Sequence, residues 1–340
     1  MDRVHELRKH ISTRQSGIEI GPYHSPIAPR SAGFRSISLD VFDADKLRSQ
    51  AADDPNIPPE SIANIGEVDL VGSAVDIATL VEDRYGSRLF DYILSSHNFE
   101  HIPDPVRFLQ GCEQVLKPAG VLSMAVPDRR YCFDFYRPVT ELSEWLEAFH
   151  THRRQPTPSQ ILRGEILRST LHGVGAWMPG DTGTPEPETN LSAAYMRWQE
   201  SLRTGAVQYV DAHCSAFTPA SLELMLADLQ HLGLTGLQPI EISQPNGCEF
   251  YVHLGIADEV AEDAPAYHRR RAEIMKRAAD ELVDWSVPRG RFAAIRSQQR
   301  VLRAKSAAFA KQHRAVAYPY CALRSARDRF RDSRRRRTSV

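Results

Sequence analysis

"FDYILSSHNFEHIPDPVRFLQGCEQVLKPAGVLSMAVP", residues 90–127, holds an apolar run, an amphipathic segment and a second apolar run. The runs "LFDYILSS" (89–96) and "GVLSMAVP" (120–127) are rich in Val, Ile and Leu at successive positions. That pattern suits strands covered on both faces, as in a parallel sheet. Between them, Asp104 is placed to cap a helix and Pro105 suits its first position. Phe108, Leu109, Cys112, Val115 and Leu116 then fall on one face. The stretch reads as strand, crossover helix, strand.

The same rhythm runs outward in both directions. "SGIEIG" (16–21), "RSISLDVF" (35–42, carrying Asp40) and "ANIGEVDLV" (63–71) read as three earlier strands. Alternation of this kind predicts a doubly wound α/β domain. Further on, "TPASLELMLADLQHLG" (218–233) predicts a helix capped by Thr218 with Pro219 at its start. "GLQPIEIS" (236–243) and "CEFYVHLGI" (248–256) are parted only by "QPNG". So short a link makes a hairpin, because parallel neighbours need a crossover of about a dozen residues or more. The mostly parallel sheet is therefore expected to finish on an antiparallel strand.

Composition sets outer bounds. The chain has 340 residues, 42% hydrophobic and 25% charged, enough to bury a substantial core. No apolar run is long enough to cross a bilayer. "MDRVHELRKHISTRQ" lacks the apolar centre of a signal peptide. The five cysteines form no CxxC pair and no Cys/His ligand spacing, so a reducing cytoplasm and no metal are expected. The net charge of −1 hides an asymmetry: residues 265–340 carry 21 of the 42 Lys/Arg and only 6 of the 43 Asp/Glu. An acidic body with a basic appendage follows.

Three motifs carry a resemblance. "EIGP" (19–22), "HNFEH" (97–101, as H-x-x-E-H) and "VPDRRYCFD" (126–134, as V-P-D-x-R-Y-x-F-D) resemble a bacterial subgroup of class I S-adenosylmethionine-dependent methyltransferases. The likeness spans residues 16–137 and returns in "HCSAFTPASLELMLADL" (213–229) and the terminal hairpin. It implies a Rossmann-like fold with a mostly parallel seven-stranded sheet and an antiparallel last strand. The expected organisation is an N-terminal helix (1–15), a cofactor-binding core (16–137) and a helical and loop insertion (138–212). The end of the core (213–258) and a basic helical extension (259–340) complete it. The insertion centres on "GAWMPGDTGTPEPETN" (175–190) and reads either as a lid or as a disordered linker.

The resemblance implies S-adenosyl-L-methionine as cofactor and no metal. Glu19 is then the acid near the ammonium end of the methionine moiety, with Gly21 and Pro22 in the loop beside it. Gly21 lets the backbone approach a ligand without a Cβ in the way. Asp40, at the end of the second strand, can accept from both ribose hydroxyls. "SAVDI" (73–77) supplies Ser73 and Ala74 on the adenine side, with Ser73 where the family has an acid. Ser96, His97 and Asn98 line the methionine. A hydroxyl acceptor needs a proton acceptor, for which His97, Asp128 and Tyr131 stand first, with Asp134 and His213 behind them. Arg129, Arg130, Asp134, Arg137 and His213 are the expected acceptor contacts. "PDRRYCFDFYR" reads equally well as a salt-bridged structural turn, and His101 as an organiser of the turn after strand four.

The leading function is methyl transfer to a small-molecule or glycan-type acceptor, at oxygen. The glycan part and a place in polysaccharide biosynthesis rest on the family's associations alone. A non-catalytic methyltransferase-like scaffold is the alternative. A nicotinamide-dependent oxidoreductase is disfavoured, since G-x-G-x-x-G is absent. The basic tail suits a peripheral membrane surface or another anionic partner, or is a solvated appendage. Nucleic acid is not expected, for want of a recognised binding module. Oligomeric state is not legible.

Overall fold

The structure, a computed structural model, describes residues 2–204, 210–257 and 263–283. Seven strands form its central sheet: β1 (Ser16–Ile20), β2 (Arg35–Asp40), β3 (Leu70–Val71), β4 (Phe90–Ser96), β5 (Leu116–Pro127), β6 (Leu237–Ile242) and β7 (Glu249–Ile256). Their order is β3-β2-β1-β4-β5-β7-β6. The first five run parallel, β7 pairs antiparallel with β5, and β6 pairs antiparallel with β7. The hairpin read from "QPNG" thus closes the sheet, with β7 inserted between β5 and β6.

β4 divides the core, and an irregularity between Phe90 and Tyr92 puts Phe90 on the same side as Ile93. Phe90 and Ile93 join the main cluster with Ile18, Leu39, Leu122 and Val252, whereas Tyr92 and Leu94 face a smaller cluster with Leu7, Ile27 and Tyr251. The main face is covered by α3 (Ile77–Tyr85), α4 (Pro105–Val115) and α8 (Pro219–His231); α1 (Arg3–Leu7) and α2 (Ala44–Asp53) precede them in the chain. Asp104 accepts from the Arg107 amide at 3.1 Å, with Pro105 in the first turn, and Phe108, Leu109 and Cys112 are fully buried. Thr218 and Ser221 form a reciprocal capping pair at the start of α8.

The opposite face departs from a regular βαβ pattern. Between β1 and β2 stands no α-helix, only a loop with a three-residue turn at Arg30–Ala32. Pro22, Pro26 and Pro29 lack the amide protons that a helix there would need. Leu7 of α1 fills part of the uncovered face. α1 is tied down by Arg3, whose guanidinium meets Glu249 at 2.7 Å, and the chain just after it by Lys9, which reaches Glu241 at 2.5 Å.

The third strand is shorter than "ANIGEVDLV" suggested. Only Leu70 and Val71 pair, because residues 63–69 run as turn and coil, with Ile65 buried against Leu47, Ala51 and Ile57. Asp69 extends the edge with its side chain instead, accepting from the Ser38 amide at 2.8 Å and pairing with Arg30.

Between β5 and β6 the chain forms α5 (Leu142–His150), α6 (Pro158–Ile166) and α7 (Leu191–Thr204), plus a two-stranded ribbon, Ser169–Thr170 with Glu186–Pro187. α9 (Ala264–Val283) packs on α8. Arg271 forks onto Asp228, and Tyr267 donates to the same carboxylate at 2.8 Å. Most of the basic extension, residues 284–340, lies outside the described residues, and so does the expectation of an anionic or membrane partner that rests on it. Among the described residues, no helix is long and apolar enough to cross a membrane. Four cysteines, Cys112, Cys132, Cys214 and Cys248, are free and buried. Burial pushes the Cys214 and Cys248 thiols up to about 12.

Candidate active site

Ligands of open α/β sheets bind beyond the carboxyl ends of the strands, where the strand order reverses. Here that point lies between β1 and β4, and β2, β1 and β4 deliver Asp40, Gly21 and Ser96–Asn98 to it. Gly21 has φ +63°, and its amide donates to Leu39 O at 2.9 Å. A Cβ built there meets nothing within 4 Å. Glycine is therefore demanded by the left-handed backbone, with crowding playing no part among the residues present. His97, also left-handed at φ +51°, turns the chain sharply after β4 while its amide holds Ala125 O at 2.9 Å. Non-glycine residues adopt such angles at a cost, and functional loops are where they gather.

Asp40 ends β2 half-buried, with the Phe42 amide on Oδ1 at 3.2 Å. Among the described residues no cation pairs with it. Burial, with the Asp211 carboxylate nearby adding to it, pushes its pKa up to about 6 against those backbone donors. A charge kept so near a ligand-binding edge without a counter-ion is suited to accept hydroxyl hydrogen bonds.

Glu19 does other work. Its carboxylate is buried and accepts from the backbone amides of Ile27 and Ala28, the latter at 2.9 Å. It fastens the loop after β1 from within. Burial raises its pKa, opposed by those two amides. Pro22 and Tyr23 begin this loop. Tyr23 packs against the apolar cluster of Leu47, Ala51, Ile57 and Ile65. A cavity of about 220 Å³ opens between this loop and residues 64–68, with Glu19, Pro22, Tyr23 and Asn64 in its lining.

After β3, Ser73 caps a short turn by accepting from the Val75 amide at 3.3 Å, and Ala74 is buried. Asp76 is paired with Arg154, at the end of the α5–α6 link. Asn98 donates to Ser95 Oγ at 3.3 Å.

His97 sits in a buried chain of charge. Its Nε2 shares a short hydrogen bond with Glu249, which also receives Arg3 and the Tyr251 hydroxyl at 2.7 Å. Burial opposes the Glu249 charge, but Arg3 and His97 hold its carboxyl well below the usual carboxylate range.

The turn after β5 is paired within itself. Asp128 is fully buried and forks onto Arg130, with contacts of 2.6 and 2.9 Å, while accepting from the Arg130 amide. Arg129 donates to Phe135 O, and Tyr131 packs against Phe135, Leu171 and Trp177. Asp134 and Arg137, each 1% exposed, pair at 3.0 Å, and His213 Nδ1 meets the other Asp134 oxygen at 2.5 Å. Arg137 and His213 hold the Asp134 carboxyl far below its ordinary range, against the opposing effect of burial.

The structure thus gathers Gly21, Asp40, Ser96, His97 and Asn98 at the strand ends. It places Asp128, Arg130, Asp134 and Arg137 in ion pairs that hold the neighbouring turn. Glu249 and Asp211 were not singled out from sequence. Glu249 meets His97 from the far end of the chain, so no local pattern marks it. A second cavity, about 670 Å³, lies between α5 and α6 beside Glu144, Arg153 and Arg163 and includes none of these strand-end residues.

A family model described as "Methyltransferase domain" matches residues 1–237. The chain belongs to this methyltransferase-domain family. No curated protein sequence matches it. Among solved structures it is similar to the CcbJ methyltransferase from Streptomyces caelestis, at 12% identity over 75% of this chain and 88% of that one, with a TM-score of 0.39. It is likewise similar to the mitomycin 7-O-methyltransferase MmcR (12%, 75% and 53%, TM-score 0.35). A third is the glycopeptide N-methyltransferase MtfA, solved with S-adenosylmethionine (11%, 75% and 95%, TM-score 0.34).

Proposed function

We propose that this methyltransferase-domain protein transfers a methyl group from S-adenosylmethionine to a hydroxyl of a small-molecule acceptor, of glycan type in our reading. The observation that carries the cofactor assignment is Asp40: a half-buried, unpaired carboxylate at the end of β2, beside the left-handed Gly21. Its oxygens would accept from the ribose hydroxyls. Ser73 and Ala74 would border the adenine, and Ser96, His97 and Asn98 the methionine. Glu19 supports the site indirectly, by fastening the loop that carries Pro22. S-Adenosylmethionine has no pyrophosphate to seat, which removes the need for a second and third glycine in that loop.

The reaction is an in-line displacement. The acceptor oxygen forms a bond to the methyl carbon as the sulfonium–methyl bond breaks, S-adenosylhomocysteine leaves, and the hydroxyl proton passes to a neighbouring base or water. Catalysis then consists largely of alignment in a water-poor cleft. His97 and Asp128 each directly follow a strand, β4 and β5, and of the two Asp128 is already locked to Arg130. Asp128, locked to Arg130, and Tyr131 are assigned positioning roles in the turn that borders the acceptor. The 138–212 insertion is read as the cover of this cleft, because Asp211 at its end faces Asp40 and reaches His101 at 2.7 Å.

Calorimetric titration with S-adenosylhomocysteine and, separately, with NAD tests this reading. Saturable 1:1 binding of the first and none of the second is expected. Binding of NAD alone would return the oxidoreductase reading.

A further inference from the structure

Next to the strand-end cleft, the buried Glu100 and His213 converge with the partly buried His101, and His97 Nδ1 also lies 3.6 Å from Glu100 Oε1. Glu100 and His101 belong to the turn after β4, and His213 arrives from the segment that follows the insertion. One ligand atom from each lies within 4.8 Å of the other two. His101 Nε2 stands 3.7 Å from Glu100 Oε1, and His213 Nε2 stands 3.8 Å from the same oxygen. Those separations are too long for hydrogen bonds. Glu100 is 1% exposed, yet neither of its oxygens has a hydrogen-bond partner among the described residues, and nor does His213 Nε2. Leaving a buried carboxylate so under-satisfied is costly.

The outer contacts explain why the atoms do not simply close up. His213 Nδ1 is held by Asp134 at 2.5 Å, and Asp134 is held in turn by Arg137. His101 Nδ1 faces Asp211 at 2.7 Å. His213 thus has a carboxylate bonded at Nδ1, His101 has one close to Nδ1, and both turn Nε2 inward toward Glu100. A carboxylate behind a histidine is the usual second layer of a metal centre, where it fixes the ring and raises its basicity. Donor atoms at about 2.0–2.2 Å from a tetrahedral ion lie about 3.4 Å apart, close to the spacing seen here.

We propose that Glu100, His101 and His213 bind a divalent first-row transition ion through one carboxylate oxygen and two Nε2 atoms. Imidazole and carboxylate without thiolate favour zinc, iron(II) or manganese(II) over softer ions. The Cys214 thiol nearby donates to His101 O at 3.3 Å and is not counted among the ligands. Three protein ligands leave room for water or another oxygen. The ion would join the turn after β4 to the end of the insertion. The expectation of no metal came from cysteine spacing. This set combines two adjacent residues with a distant one, and no spacing rule reports that.

The test uses full-length protein without an affinity tag, freed of metal by chelator dialysis and titrated with zinc chloride by calorimetry. Cobalt(II) loading is followed in parallel by visible absorption. One zinc per chain is expected, with a cobalt band, and both are lost in Glu100→Gln and His213→Gln. His231→Gln, on the far side of the domain, keeps both. Circular dichroism verifies that each variant is folded. The absence of stoichiometric zinc uptake by folded wild-type protein would overturn the proposal, whatever the variants do. Uptake unchanged in both folded ligand variants would overturn it as well. Neither outcome depends on methyl transfer.

Discussion

Gly17 shows how narrowly single positions are set. A Cβ there would fall 2.0 Å from the Tyr92 ring, whose hydroxyl is engaged with Ser36 Oγ at 2.8 Å. Gly17→Ala should cost about 1–3 kcal/mol by overpacking, read as a lower urea midpoint with unchanged slope. Asp40 makes the other residue-scale prediction. With its pKa raised to about 6, the carboxyl is partly protonated in mildly acidic solution. Ribose hydroxyls donate to the ionised form, so affinity for S-adenosylhomocysteine should hold above pH 7 and fall as pH drops through 6. The same shift makes ionisation costly in the unliganded fold, so stability should decline as pH rises from about 4 toward 6. Calorimetry across pH tests the first statement, with Asp40→Asn expected to flatten the profile. Asp40 and Gly21 were legible in the sequence because strand ends and glycines announce themselves. Glu19 was legible as a residue of the cofactor loop, and the structure adds that its carboxylate accepts from the Ile27 and Ala28 amides. That it turns inward to two backbone amides depends on a loop path that no spacing encodes.

At the scale of elements, the loop between β1 and β2 replaces a helix, and Glu19 is its fastening. Glu19→Gln would turn an amide NH₂ toward the Ile27 and Ala28 donors. It should cost about 1–3 kcal/mol and speed hydrogen exchange at those two amides well beyond the change at β4. Equal exchange rates in wild type and variant would show that the loop is held otherwise. The helix 105–115 and the terminal hairpin could be read from sequence because their signals are local: a capping acid, a proline, a four-residue link. The third strand is shorter than its apolar run, since Ile65 turns into the cluster of Leu47, Ala51 and Ile57 and Asp69 supplies edge contacts through its side chain. The turn after β5 displayed its charges in the sequence but not their pairing. Only the structure shows Asp128 spent on Arg130 and Asp134 spent on Arg137 and His213.

For the whole molecule, α9 belongs to the folded unit. Tyr267 stacks on His231 at 3.5 Å, Ile274 is 1% exposed, and Arg277 reaches Glu223 at 2.6 Å. Ile274→Ala should therefore lower global stability by about 2–4 kcal/mol in a single transition. A separate early transition would mean that α9 melts independently of the sheet. Doubly wound order and the reversed last strand were readable from pattern. The convergence of Arg3, His97, Glu100, His213 and Glu249 was not, because their contacts link the two ends of the chain across the sheet.

The account's central claim is that the cofactor lies over the ends of β1, β2 and β4. A crystal structure with S-adenosylhomocysteine tests it most directly. The ribose hydroxyls should meet Asp40, with the adenine beside Ser73–Ala74 and the homocysteine beside Ser96–Asn98. A ligand seated between α5 and α6, or bound with Asp40 untouched, would contradict it.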